Sequence, residues 1–280
     1  MSDRALPERL AELVALSSGD SRADTVIRLT CGRALSLPPL PIPVDLTDGR
    51  SDEEAVLAAF AEQFSTDVTG VGDNQRQCFL NAYGDRAFRV VVAVFIADFV
   101  PRVWAGCDAL GLGKPGVVSE VAWDADGDPV EKLLGGFVPA VARLRELDPV
   151  TTEVVRLRGA AAHNCRLCKS LRESHALDEG GSEDLYRQIE DFESSEELTK
   201  AHKAALRYVD ALIWTPSDIG ESVVHGIQKH FSEKQAFELT LDVMRNAANK
   251  IAVALGADAA RVTDGTERYE VDEAGQTVFA

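Results

Sequence analysis

The chain has 280 residues, is 45% hydrophobic and carries a formal charge of −17. That length supports one large or two ordinary domains with buried cores and no need of a disulfide or metal staple. The negative field excludes nonspecific binding to nucleic acid or to an anionic membrane.

The start, MSDRALPERLAEL, carries acids in an amphipathic pattern and has no apolar signal segment. The most apolar run, VVVAVFIADFV, is broken by Asp98 and ends at Pro101-Arg102. No membrane span and a cytoplasmic, thiol-reducing location are therefore expected.

Most segments repeat apolar residues at i, i+3 and i+4 with little strand-like alternation, which predicts a nearly all-α fold. In chain order, SLPPLPIPV (36–44) is a proline-rich loop, and Ser51 with Glu54 forms a capping box that starts a helix over 52–66. A Gly/Asp-rich linker spans 111–128. Asp148-Pro149 and Thr215-Pro216 pair an N-cap with a proline in the first turn and predict helices over 149–162 and 216–230. Ser232 with Gln235 predicts another over 233–255, and the tail RYEVDEAGQTVF predicts a small hairpin around Glu273-Ala274-Gly275.

The two halves resemble each other. DTVIRLTCGRA (24–34) matches TEVVRLRGAAA (152–162) at an offset of 128, and GDRAFRVVVAVF…VPRVWAGCDALG (84–111) matches SEKQAFELTLDVM…ANKIAVALG (232–256) near 149. Two matched blocks in the same order predict a duplicated helical unit, with the polar stretch 178–197 as an insertion in the second copy. The expected organisation is an N-terminal repeat over 1–111, a linker over 112–128, a second repeat over 129–258 and a tail over 259–280.

The chemistry concentrates in HNCRLCKS (163–170), where two of the five cysteines, Cys165 and Cys168, stand three apart. By the first offset they fall opposite Leu37 and Leu40, so only the second copy carries thiols here. Asn164 is a good N-cap, which would put both sulfurs in a first helical turn, close enough to pair. Residues 151–175 hold Arg156, Arg158, Arg166, Lys169 and Arg172 against Glu153 and Glu173, a local excess of +3. On a continuous helix Lys169 is i+4 from Cys165 and Arg172 i+4 from Cys168, cations that would lower a thiol pKa. A zinc site needs four ligands, and the sequence offers neither a second C-x-x-C nor a paired His motif. No glycine-rich nucleotide loop stands at a strand-to-helix junction, so no bound NAD, flavin or other cofactor is expected. Two buried cysteines acting as small apolar residues remain the alternative to a redox dithiol.

The segment EVVRLRGAAAHNCRLCKSLRESHA resembles the core of the carboxymuconolactone decarboxylase-like superfamily, especially its alkylhydroperoxidase D-like branch. The likeness extends weakly over 129–258, through WTPSDIGE and FELTLDVMRNAANKIAVALG. That branch has a glutamate, a C-x-x-C twelve residues on, and a histidine four residues after the second cysteine. Glu153, Cys165 and Cys168 match, and Arg172 holds the histidine's place.

The resemblance implies an all-α, often duplicated fold that assembles into homo-oligomers. It implies Cys168 as the peroxide-reacting thiol, Cys165 as its resolving partner and Glu153 as a proton-relay base. Arg172 cannot relay a proton as histidine does, but it can stabilise a thiolate or an oxygen anion. His163 is the nearest histidine able to assist, whereas His175 lies seven residues beyond Cys168.

The function so implied is a thiol-dependent oxidoreductase, a peroxidase or disulfide reductase. Its reductant would be a lipoamide-type dithiol or a thioredoxin-like protein. A non-catalytic helical scaffold is the second reading, and a decarboxylase or isomerase acting on a small organic acid the third.

Overall fold

The computed structural model describes residues 5–17 and 19–279. They are mostly helical, with one small three-stranded sheet.

The first helices are α1 (Ala5–Ala15), α2 (Ser21–Leu35), α3 (Asp52–Thr66), α4 (Asp73–Tyr83) and α5 (Ala87–Ala109). The capping box at Ser51 and Glu54 forms as its spacing predicts. The chain folds into two compact units. One takes the first helices up to Trp104 together with Lys114–Phe137, and the other takes Ala105–Gly113 together with the chain from Val138 onward.

In the first unit α2 packs on α3 and α3 on α4. Its core includes Phe60, Phe64 and Phe79, all fully buried. The helical stretch Asp73–Ala109 is long and apolar enough to cross a membrane, yet 83% of its most apolar window is buried inside the protein. Its apolarity is that of a core helix.

The second unit contains α6 (Val138–Ala142), α7 (Pro149–Ala162), α8 (Arg166–Lys169), α9 (Ser174–Asp178), α10 (Glu183–Arg187), α11 (Lys200–Trp214), α12 (Glu221–His230), α13 (Glu233–Ala247) and α14 (Asn249–Leu255). Helix α7 packs against α11 and α13. On α11, Ala205, Leu206, Val209 and Leu212 make one fully buried stripe, and each large apolar side chain so buried contributes about 1.5–3 kcal/mol.

Two helix readings need correction. The helix expected over 216–230 begins at Glu221, because Thr215 closes α11 and the backbone turns through Asp218 N–H to the Thr215 carbonyl, 2.9 Å. The helix expected over 233–255 starts at its capping box but is interrupted at Ala248, giving α13 and α14.

The tail hairpin forms as expected from β2 (Glu267–Val271) and β3 (Thr277–Phe279). Its other edge pairs in parallel with β1 (Leu171–Glu173), in the register Leu171 to Glu267 and Glu173 to Tyr269.

Helices α2 and α7 are laid out alike. Their N-caps, Asp20 and Asp148, each accept backbone N–H groups of the first turn and stand at the offset of 128. At the other end, Ser36 (φ 54°) and Asn164 (φ 49°) stand at the same offset, and they are the two non-glycine residues with positive φ among the described ones. The next N–H reaches back identically, Leu37 to the Gly32 carbonyl and Cys165 to the Ala160 carbonyl, both at 3.0 Å.

Asp148 binds both the N–H and the hydroxyl of Thr151, at 2.9 and 2.6 Å. Replacing Asp148 by Ala is expected to lower the unfolding free energy by about 1 kcal/mol. Urea denaturation followed by circular dichroism measures it, and an unchanged midpoint would show the cap to be idle.

Candidate active site

The chain enters the C-x-x-C segment through a turn. After α7, Asn164 takes the left-handed conformation, which asparagine tolerates better than most residues, and redirects the backbone so that Cys165 becomes the N-cap of α8. The cap expected at Asn164 therefore falls one residue later. The Cys165 sulfur accepts the Cys168 N–H at 3.1 Å, the bond a capping Ser or Asp oxygen makes elsewhere.

The two sulfurs are joined as a disulfide across this turn, with Cα atoms 5.3 Å apart. Cys165 is buried and Cys168 half-buried. Cys31 and Cys107 are buried and outside any disulfide, and burial pushes the Cys107 thiol up to about 12.

From the other side the turn is clamped by Asp258, which follows α14. Its carboxylate takes the Arg166 N–H at 2.9 Å and the Arg166 guanidinium at 2.8 Å, and its carbonyl takes the Leu167 N–H at 2.8 Å. Hydrogen bonding from the Arg166 side chain holds the Asp258 carboxyl below the usual carboxylate range.

Glu153 lies on α7, fully buried, with Arg156 one turn on. The Arg156 guanidinium grips both Glu153 oxygens, at 2.6 and 2.7 Å. It also donates to the Cys168 carbonyl at 2.8 Å and the Leu171 carbonyl at 2.7 Å. Glu153 accepts the Glu173 N–H of β1 at 3.2 Å, and the Tyr269 ring lies 5.5 Å from the Arg156 carbon. Burial works against the Arg156 charge, but Glu153 beside it outweighs burial and holds the guanidinium more firmly protonated than usual.

Glu153 and the C-x-x-C are thus brought together through Arg156. No hydrogen bond among the described residues joins Glu153 to either sulfur.

The other two expected residues are placed differently. Arg172 is not on a helical face with Cys168, because α8 ends at Lys169 and Arg172 sits in β1. It is ion-paired with Glu183 at 2.8 and 2.9 Å and donates to the Lys169 and Leu171 carbonyls. His163 is buried and its Nδ1 lies 3.0 Å from the Asn249 side-chain oxygen.

The local excess of +3 is also cancelled in space. Arg156 pairs with Glu153, Arg158 with Asp210, Arg166 with Asp258 and Arg172 with Glu183, while Lys169 binds the Asn164 side chain. Sequence spacing alone carries no signal for Asp210, Asp258 or Glu183, which arrive through long-range packing.

A cavity of about 350 Å³ opens on the other side of the Glu153–Arg156 pair. Asp242, Arg245, Tyr269 and His175 line it with that pair, and neither cysteine does. Among the described residues no group of three or more His, Cys, Asp or Glu is arranged to hold a metal ion.

No family model and no solved structure matches the chain. It is 55% identical over 273 residues to the uncharacterized protein Rv2313c of Mycobacterium tuberculosis, covering 96% of each chain. Two further uncharacterized proteins match a smaller part. YdfG of Bacillus subtilis is 24% identical over 116 residues, 41% of this chain and 79% of its own, and YnjA of Escherichia coli is 26% identical over 125 residues, 44% and 69% respectively.

Replacing Asp258 by Ala is expected to speed hydrogen exchange of the Arg166 amide about fivefold, the usual effect of losing a cap. In the unaltered protein the clamp is fully present above the ordinary aspartate pKa of about 3.9 and is lost as pH falls through the lowered value. Protection of that amide should therefore be flat from about pH 5 to 8, once intrinsic exchange is divided out; a fall within that window would contradict the clamp.

Proposed function

From the premise that this chain belongs to one family with Rv2313c of Mycobacterium tuberculosis, we propose that it is a thiol-dependent oxidoreductase of the alkylhydroperoxidase D-like type, working through a Cys165–Cys168 dithiol–disulfide cycle. The observation that carries the reading is the pairing of the two sulfurs across a single turn, one buried and the other half-exposed. In that arrangement Cys168 is the attacking thiol and Cys165 the resolving one.

With a peroxide, the Cys168 thiolate attacks the O–O bond. The alcohol leaves with a proton, Cys168 becomes a sulfenic acid, and the Cys165 thiol displaces water to close the disulfide. With a disulfide substrate, the same thiolate forms a mixed disulfide that Cys165 resolves. A lipoamide-type or thioredoxin-like dithiol returns two electrons and two protons.

Glu153 and Arg156 act as positioning residues, since they fix the Cys168 carbonyl and leave the sulfur to solvent on its half-exposed side. Arg172, tied to Glu183, takes no part in proton transfer. That favours the disulfide-exchange arm, whose leaving thiolate needs a proton less than a leaving alkoxide does.

A duplicated unit is part of the same proposal. It is supported by the matched caps and left-handed turns of α2 and α7, and by relatives that align along most of their own length with about two-fifths of this chain. In the first copy Leu37 and Leu40 stand where the cysteines do, so that copy contributes no thiol chemistry.

The test begins with fully reduced protein, exposed in turn to tert-butyl hydroperoxide and to oxidised lipoamide. Mass spectrometry should find the 165–168 peptide lighter by two hydrogens, and Cys168→Ser should lower turnover at least a hundredfold with the fold intact. Unchanged turnover in Cys168→Ser would overturn the thiol mechanism, and a wild-type pair that stays reduced with both oxidants would turn the reading to a non-catalytic helical scaffold.

A further inference from the structure

The cavity beside Glu153 and Arg156 has a floor with unused hydrogen-bonding capacity. Asp242 on α13 is 2% exposed, and it takes one hydrogen bond, from Arg245 at 3.0 Å to Oδ1. Its Oδ2 has no protein donor among the described residues. The Tyr269 hydroxyl, on a residue 4% exposed, likewise has no protein partner among them. Both residues line the cavity. Neither oxygen is among the enclosed polar atoms without a partner, so both open onto the cavity, where the donors of a ligand can reach them.

The surrounding charge selects the sign of that ligand. The interior guanidiniums are already spent, Arg156 on Glu153 and two carbonyls, and Arg245 on Asp242. Around them the lining adds Glu173, Asp178 and Glu270 against Arg145, with His175 as the one further titratable group. Arg145 is spent as well, on the Ala142 and Leu144 carbonyls, so the charged group left with an open oxygen is the Asp242 carboxylate, an acceptor that suits a cationic donor. The rest of the wall is apolar, through Val141, Leu144, Leu147 and Val271.

We propose that this cavity is a binding site for a small amphipathic ammonium compound. Its cationic head bonds to Asp242 Oδ2 and the Tyr269 hydroxyl, and its hydrocarbon part lies against the apolar wall. The volume of about 350 Å³ falls at the lower end of the range for small-molecule sites. Burial, opposed by Arg245, raises the Asp242 carboxyl above its ordinary value, a desolvation cost that an incoming ammonium would relieve. Neither cysteine lines the cavity, so the site stands whether or not the dithiol is catalytic.

Isothermal titration calorimetry of the full chain with n-hexylammonium and 2-phenylethylammonium chloride tests it, with sodium hexanoate as the probe of opposite sign. At least one of the two ammonium probes should give saturable one-to-one binding and hexanoate none. Tyr269→Phe and Asp242→Asn should each weaken ammonium binding at least tenfold, while Cys165→Ser/Cys168→Ser leaves it unchanged. Tyr269→Phe removes only a hydroxyl and keeps the test open if Asp242→Asn does not fold. Absence of saturable ammonium binding, binding of hexanoate as tight as that of the amines, or unaltered affinity in folded Tyr269→Phe would overturn the proposal.

Discussion

A single buried guanidinium organises the second unit. Arg156 is almost fully enclosed, and its charge is tolerated because Glu153, fully buried one turn away, meets it with both oxygens. Removing one partner of such a pair costs about 3–5 kcal/mol, because the other is left charged and unsolvated. The remaining donors of Arg156 take the carbonyls of Cys168 and Leu171, so the end of α8 and the start of β1 are pinned to α7. That one side chain therefore links the cysteine turn, β1 and the wall of the cavity.

The first unit solves a similar problem with other residues. Arg28, at the position equivalent to Arg156 in the offset of 128, is also buried and donates to the carbonyls of Val14, Leu16 and Pro41. Burial pulls its pKa down to about 10, opposed in part by Asp24, and among the described residues no ion pair holds it as Glu153 holds Arg156. Trp123 covers it, with the guanidinium carbon 4.9 Å from the ring centre. In both units an arginine ties a loop to its helix by carbonyl contacts.

Local patterns are readable in the sequence and long-range ones are not. The caps at Ser51, Asp148 and Ser232 and the tail hairpin depend on neighbours within a few residues, and each stands where the sequence puts it. A continuous helix would carry Arg172 onto the face of Cys168. The parallel pairing of residues 171–173 with β2, beyond the reach of local patterns, ends that helix at Lys169. The basic excess around the cysteines fails as an electrostatic argument for a related reason. Three of its arginines, Arg158, Arg166 and Arg172, each meet a carboxylate from another element, Asp210, Asp258 and Glu183. Glu153 is legible as a residue at a given distance from the cysteines. Its bond to Arg156 is legible too, in the i, i+3 spacing of opposite charges on one helix, but that signal is common on solvated helix faces and does not by itself reveal burial.

The clamp from Asp258 has a consequence for how the protein is made. The cysteine turn is held by a residue about 90 positions further along the chain, and its neighbouring strand pairs with residues later still. At ribosomal rates of about 5–20 residues per second, roughly 5–20 s separate synthesis of the cysteines from synthesis of their clamp. During that interval the thiols belong to an unfinished surface, open to wrong partners and to oxidants. The fold offers them no shelter until the segment beyond α14 has emerged.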